Sequence, residues 1–170
     1  DAFYDAVKYL YENDIMNGAS KTEFSPNAEL TRGMVVTILY RMEGEPLTAG
    51  AKTFSDVKAG LYYSKAVDWA AEKNIVNGFS DGTFKPEQLV TREQLATIIS
   101  RYAVSKGIAV YDAANALAST DVVSAWARSN VAWAAAEGIL TKTETTNATK
   151  TTSRAEVATA IYTYLTKTAK

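Results

Sequence analysis

The feature that most constrains this 170-residue chain is that it repeats. The segments Ala6-Val7-Lys8-Tyr9-Leu10, Ile15-Met16-Asn17-Gly18, Phe24-Ser25-Pro26 and Thr31-Arg32 return sixty positions later. There they read Ala66-Val67-Asp68-Trp69-Ala70, Ile75-Val76-Asn77-Gly78, Phe84-Lys85-Pro86 and Thr91-Arg92, with no gap between the copies. A looser third copy follows: Asn130-Val131-Ala132-Trp133-Ala134, Ile139-Leu140 and Ser153-Arg154-Ala155-Glu156. Ile75 to Ile139 spans 64 positions and Arg92 to Arg154 spans 62, so the third loop is two residues shorter. Self-similarity at a fixed period means one supersecondary unit used several times, each burying its apolar face against its neighbours.

Each unit reads as helix, loop, helix. The first helix carries apolar residues at Phe3, Val7, Leu10 and Tyr11, matched by Tyr63, Val67, Ala70 and Ala71. The second has a stripe at Val35, Val36, Leu39 and Met42, then Leu95, Ala96, Ile99 and Tyr102, then Val157, Ala158, Ile161 and Tyr164. This three-to-four spacing is one face of a helix. Thr31, Thr91 and Ser153 stand as N-caps. Gln94 and Glu156 complete capping boxes in the later copies, whereas Met34 leaves the first without the reciprocal half. The expected fold is all-α: three helix-loop-helix repeats in a single-chain pseudo-threefold bundle (a pseudo-trimer), with the first helices converging. Repeat limits are 1–45 (truncated at its start), 53–106 and 118–170. One linker runs from Gly44 to Thr53 and another from about Ser105 to Thr120, with a short helix expected within Asp112 to Leu117. The chain opens inside an amphipathic pattern, without a signal peptide, and reads as a fragment.

Composition narrows function. Histidine and cysteine are both absent, which removes Ser-His and Cys-His catalysis, disulfides and thiolate zinc sites. Paired-carboxylate catalysis stays open in principle, but Glu12, Glu72 and Glu137 lie on helix surfaces and no motif fixes a pair. Eighteen Lys and Arg against nineteen Asp and Glu are scattered without a basic patch, which argues against nucleic acid. No apolar run approaches the ~20 residues of a membrane span.

An Asp-Val opening (Asp56-Val57, Asp121-Val122), an aromatic before an amphipathic helix, the loop Asn77-Gly78-Phe79-Ser80-Asp81-Gly82-Thr83-Phe84-Lys85-Pro86 and a Thr-Arg helix start together resemble the S-layer-homology repeat. The second copy resembles it most closely and the third departs most in its loop. The resemblance implies a non-catalytic module that anchors a secreted bacterial protein to its cell wall, outside the cell. It implies grooves between adjacent repeats that bind an acidic secondary cell-wall polysaccharide, often bearing ketal-pyruvylated N-acetylmannosamine. The Arg of the Thr-Arg motif is then a principal contact. The module would act as a monomer attached to a parent protein, with no cofactor or metal. Two alternatives stay open: a helical interaction module that binds no glycan, and binding to modified peptidoglycan.

The residues carry chemistry of their own. Arg32, Arg92 and Arg154 each open a helix, where a cation opposes the macrodipole. An anion held between the guanidinium and free helix N–H groups would resolve the conflict; so would an ion pair with a neighbouring repeat's Asp56 or Asp121. Gly18 and the Asn77-Gly78 turn either expose backbone donors to a ligand or simply turn the chain. A calcium loop at Asp81-Gly82 lacks the alternating acidic ligands and closing Glu. Tyr62 and Trp126 occupy corresponding places, filled by Ala2 in the first copy, and suit either a sugar face or a wedge between repeats. Trp69 and Trp133 are expected in the core. Joining the Arg of one repeat to the Asp and aromatic that open the next groups Arg32 with Asp56 and Tyr62, and Arg92 with Asp121 and Trp126. Arg154 is left facing Asp1 and Ala2. On that grouping the Arg92 groove is the best equipped.

Overall fold

The computed structural model describes residues 3–20, 23–50 and 54–168. Asp1 and Ala2, expected beside Arg154, lie outside them. Among the described residues the regular structure is helical: α1 (Tyr4–Glu12), α2 (Arg32–Met42), α3 (Ser64–Glu72), α4 (Arg92–Ser105), α5 (Arg128–Ala136), α6 (Lys142–Thr146) and α7 (Arg154–Thr168). Short 3-10 turns at Ala114–Ala116 and Ala125–Ala127 complete it, the first inside the stretch expected to be helical.

The caps form as the sequence requires. Thr31 accepts from the Met34 N–H without a reciprocal bond. Thr91 and Gln94 make a full capping box, and Ser153 and Glu156 another, with the Ser153 N–H donating to Glu156 Oε2 at 2.9 Å. The second-helix stripes are buried in every copy, save for partly buried Met42, and Trp69 and Trp133 are core residues.

Helices α1, α3 and α5 are nine residues each, too short to persist alone in water, so packing holds them. Each first helix lies against the second helix of another copy: α3 on α2, α5 on α4, and α1 on α7. These pairs replace the expected convergence of the three first helices. The α1–α7 pair ties the beginning of the chain to its end, with the Tyr9 and Tyr162 rings 5.4 Å apart. A run of aromatic contacts, Tyr40 to Trp69, Trp69 to Tyr102 and Tyr102 to Tyr164, links all three copies.

The chain just before each second helix does the remaining joining. The Leu30 N–H donates to the Thr152 carbonyl, Thr152 to Val90, and Val90 to Leu30, a closed ring of three backbone hydrogen bonds among fully buried residues. Outside that ring, the first two N–H groups of each second helix donate to carbonyls of another copy's loop. Arg32 and Gly33 donate to Gln88 and Pro86, Arg92 and Glu93 to Lys150 and Ala148, and Arg154 and Ala155 to Ala28 and Pro26. These donors normally lack intrahelical partners. Here they are used by the protein itself, so the free N–H groups expected for an anion are not free.

Candidate functional site

That backbone cycle lays each second-helix arginine over the loop of the copy that follows it. Arg32 donates from Nε to the Phe84 carbonyl at 2.9 Å, and its guanidinium carbon lies 4.9 Å from the Phe79 ring centre and 4.7 Å from that of Phe84. Arg154 donates from Nε to the Phe24 carbonyl at 2.7 Å and from a terminal nitrogen to the Asn17 carbonyl at 2.6 Å, with the Phe24 ring 4.7 Å away. Arg92 reaches the Asn147 carbonyl at 3.3 Å but spends Nε and a terminal nitrogen on Glu156, at 3.4 and 2.6 Å.

Three clefts follow from this arrangement. The first, about 240 Å³, is walled by Arg32, the Asn77-Gly78-Phe79 turn, the α4 residues Gln94 and Arg101, and Trp126. The second, about 230 Å³, is walled by Arg154, the Asn17-Gly18 turn, Met34 and Arg41 of α2, and Tyr62. The third, about 260 Å³, takes Phe3, Thr141, Glu144, Glu156 and Thr159. The structure therefore brings Trp126 to Arg32 and Tyr62 to Arg154. This differs from the expected grouping by one step around the cycle, because each arginine reaches forward to the next loop and the aromatic arrives from the copy beyond. Both rings stand at the surface, Tyr62 56% and Trp126 59% exposed.

Asp56 and Asp121 do not line these clefts. Asp56 accepts from the Phe84 N–H at 2.8 Å and the Lys85 N–H at 2.7 Å. It fixes the loop whose Phe84 carbonyl seats Arg32, and so positions the cleft from behind. Asp121 accepts from the Ala118 N–H and from Lys142 Nζ at 2.9 and 2.7 Å. The Lys142 ammonium and the Ala118 N–H hold its carboxyl below the usual carboxylate range. Neither aspartate is within ion-pair distance of the three arginines among the described residues.

The turn glycines are required by close approach. Gly78 sits at φ 71°, and a Cβ there would meet Phe54 Cε1 at 2.3 Å. At Gly18 it would meet the Ser20 carbonyl oxygen at 2.5 Å. The third copy has Thr141-Lys142 at this place, and Thr141 with Glu144 forms a capping box that starts α6. The third loop, expected two residues shorter and most divergent, thus contains a helical turn of its own.

Electrostatics separate the clefts. Arg32 is only 7% exposed; burial lowers its pKa to about 10, and nearby Arg101 adds to the fall against the opposing pull of Asp56. It stays charged at neutral pH, with no acceptor for its terminal nitrogens among the described residues. Burial likewise lowers Arg154. In the third cleft, burial raises Glu156, but Arg92 together with the Ser153 N–H and Thr152 hydroxyl outweighs it and holds the carboxyl below its ordinary value.

Four contributors were not singled out from the sequence: Arg41, Arg101, Phe79 and Glu93. Glu93 accepts from the Ser124 N–H and hydroxyl, both at 2.9 Å, tethering to α4 the segment that carries Trp126. The shared nine-residue step from Arg32 to Arg41 and from Arg92 to Arg101 was the available signal.

Comparison with known proteins adds a family. Residues 1–33 and 53–96 match the S-layer homology domain. The chain is 36% identical over 95 residues to an endoglucanase of Bacillus sp. (strain KSM-635), covering 56% of the chain and 10% of the relative. It is 31% identical over 141 residues to an amylopullulanase of Thermoanaerobacterium thermosulfurigenes, covering 80% of the chain and 7% of that protein. With the surface-layer 125 kDa protein of Lysinibacillus sphaericus it shares 26% identity over 156 residues, 90% of the chain and 13% of the relative. The chain thus spans a small part of each of these proteins.

Proposed function

Since residues 1–33 and 53–96 belong to the S-layer homology domain family, we propose that the chain is a cell-surface anchoring module that binds an acidic wall polysaccharide outside a bacterial cell. The repeats are read as 1–45, 53–106 and 118–170. Relatives as different as an endoglucanase, an amylopullulanase and a surface-layer protein share this segment while it covers little of their length. That distribution suits an accessory attachment device, with catalysis, where present, lying elsewhere in the parent protein.

One observation carries the reading of the ligand. Two clefts each combine an arginine whose pKa burial lowers and that no carboxylate pairs among the described residues, an exposed aromatic ring and a glycine turn. A ring at the mouth suits the apolar face of a pyranose. A guanidinium whose terminal donors face the cleft suits a planar carboxylate. A ketal-pyruvylated N-acetylmannosamine unit supplies both features in one residue. Charged contacts of this kind weaken with salt, less steeply where partly buried.

The test is co-sedimentation of the chain with purified wall, before and after acid removal of ketal pyruvate. The expected result is strong sedimentation with intact wall, loss after stripping, and partial release by added salt. Equal binding to intact and stripped wall would refute the acidic ligand.

A further inference from the structure

The three clefts stand at equivalent places in the cycle, but only the first two are lined by arginine. Arg32 shares its cleft with Arg101, and Arg154 shares its own with Arg41. Both second arginines lie nine residues, two and a half turns, beyond the helix-opening arginine of their own helix, so each helix presents its two arginines to opposite faces and different clefts. Burial is the main cause of the lowered Arg32 and nearby Arg101 adds to it, whereas burial alone lowers Arg154. Among the described residues the only ion pair of either second arginine is Arg41 with Glu45 at 3.9 Å, an exposed contact of little strength. No carboxylate among the described residues forms an ion pair with Arg32, Arg101 or Arg154.

In the third cleft the corresponding positions differ on both counts. Thr163 stands nine residues after Arg154, in place of the second arginine. Glu156 stands where α4 has Gln94 and α2 has Met34, and its carboxylate lies on the Arg92 guanidinium, Oε1 at 2.6 Å from a terminal nitrogen and Oε2 at 3.4 Å from Nε. Glu144 adds a second carboxylate to the same walls. The protein has placed its own carboxylate on the arginine that remains open in the other two clefts.

We propose that the module is divalent: two clefts each hold a ligand carboxylate between two arginines, Arg32 with Arg101 and Arg154 with Arg41, while Glu156 occupies the third. The inference rests on the anionic-glycan reading above and sharpens it by assigning Arg41 and Arg101 to the ligand and counting the sites. A two-sided guanidinium clamp recognises a planar carboxylate better than a hydroxyl of a neutral sugar, so the second arginine sets selectivity for the acid. Two sites on one rigid body also let a polymer bind twice, raising wall retention well above single-site affinity.

The experiment is isothermal titration of the whole chain with a pyruvate-ketal N-acetylmannosamine monosaccharide, with neutral N-acetylmannosamine as control. Two sites are expected for the acidic sugar. Arg101→Leu and Arg41→Leu, both on exposed or half-buried stretches of helix, should each weaken one site roughly tenfold or more with unchanged thermal midpoints. Glu156→Gln with Thr163→Arg should create a third, weaker site; Gln94 already serves the same capping box in α4, so the helix start survives. Three equal sites in the unaltered chain, or undiminished affinity at both sites in the Arg41 and Arg101 variants, would overturn the inference while leaving the wall-binding reading intact. No sedimentation with intact wall would instead overturn that reading, and this inference with it.

Discussion

Removing the Asp56 carboxylate tests how the loop behind the first cleft is held. Its two oxygens accept from consecutive N–H groups, Phe84 at 2.8 Å and Lys85 at 2.7 Å. Phe84 is fully buried, and Lys85 sits at φ 58° immediately before Pro86, a left-handed conformation that a lysine adopts at a cost. The same three residues face the first repeat: the Phe84 carbonyl receives Arg32 Nε, and the Pro86 carbonyl receives the Gly33 N–H. A hydrogen bond to a charged group contributes about 1.5–3 kcal/mol. The two here act on one strained turn, so they are not independent, and Asp56→Ala should destabilise by roughly 3 kcal/mol rather than twice that. For a chain of this length, 1 kcal/mol moves the midpoint by about 2–4 °C, so the variant should melt about 6–12 °C lower. Asp56→Asn should fare little better, since its amide turns a second donor toward an N–H. Circular dichroism melts of the three proteins measure this. A midpoint for Asp56→Ala within about 2 °C of the parent would refute the clamp. Wall binding should fall in the same variant because Arg32 loses its seat, whereas Arg101→Leu should weaken that one site without melting earlier.

Gly78→Ala should cost about 1–3 kcal/mol in urea unfolding, combining a positive φ with a Cβ 2.3 Å from the Phe54 ring, while Gly82→Ala, with open space at φ 79°, should cost less than half as much. Equal costs would show that the close approach is not felt. Acid should unfasten the third repeat: Asp121 and Glu156 both titrate below their ordinary values, so their stabilisation is complete above the unfolded carboxylate range near pH ~4 and is lost as pH falls through the lower folded values. The gap in melting temperature between the parent and Asp121→Asn should accordingly narrow from pH 6 to pH 2.5, and a constant gap would remove Asp121 from that account.

Much of the fold was legible because it is local. Caps at Thr31, Thr91 and Ser153, the apolar stripes they start and the core tryptophans each depend on residues within a turn or two. The partners of the clefts are not local. Arg32 meets Trp126 rather than Tyr62 because helix-opening N–H groups bond the next copy's loop, a choice made by how the copies close on each other and invisible in any one of them. The aspartates were read as groove residues since they recur beside the aromatics; their oxygens instead turn inward, Asp56 to backbone donors and Asp121 to Lys142. The Thr141 to Glu144 capping box was present in the sequence, but its Thr-rich surroundings read as a loop with missing residues rather than a helix with its own start.

The recurrence of arginine at three helix starts has an answer that differs from the one its dipole suggests. The N–H groups that would attract an anion there are consumed by carbonyls of the neighbouring copy, so no ligand reaches them. The arginine side chains follow the same path, each donating to a loop carbonyl of that copy. Arg32 and Arg154 are therefore fasteners of the cycle as well as walls of a cleft, and replacing either would disturb assembly and ligand together. Burial by that fastening is also what sharpens them for an anion: Arg32, held on two rings and one carbonyl, keeps both terminal nitrogens for a ligand, and Arg154, whose second carbonyl takes one terminal nitrogen, keeps the other. Recognition separates from assembly only at residues that face the cleft without holding the cycle. Arg41 and Arg101 meet that condition in the open clefts, and Glu156 shows in the third what an occupied arginine looks like.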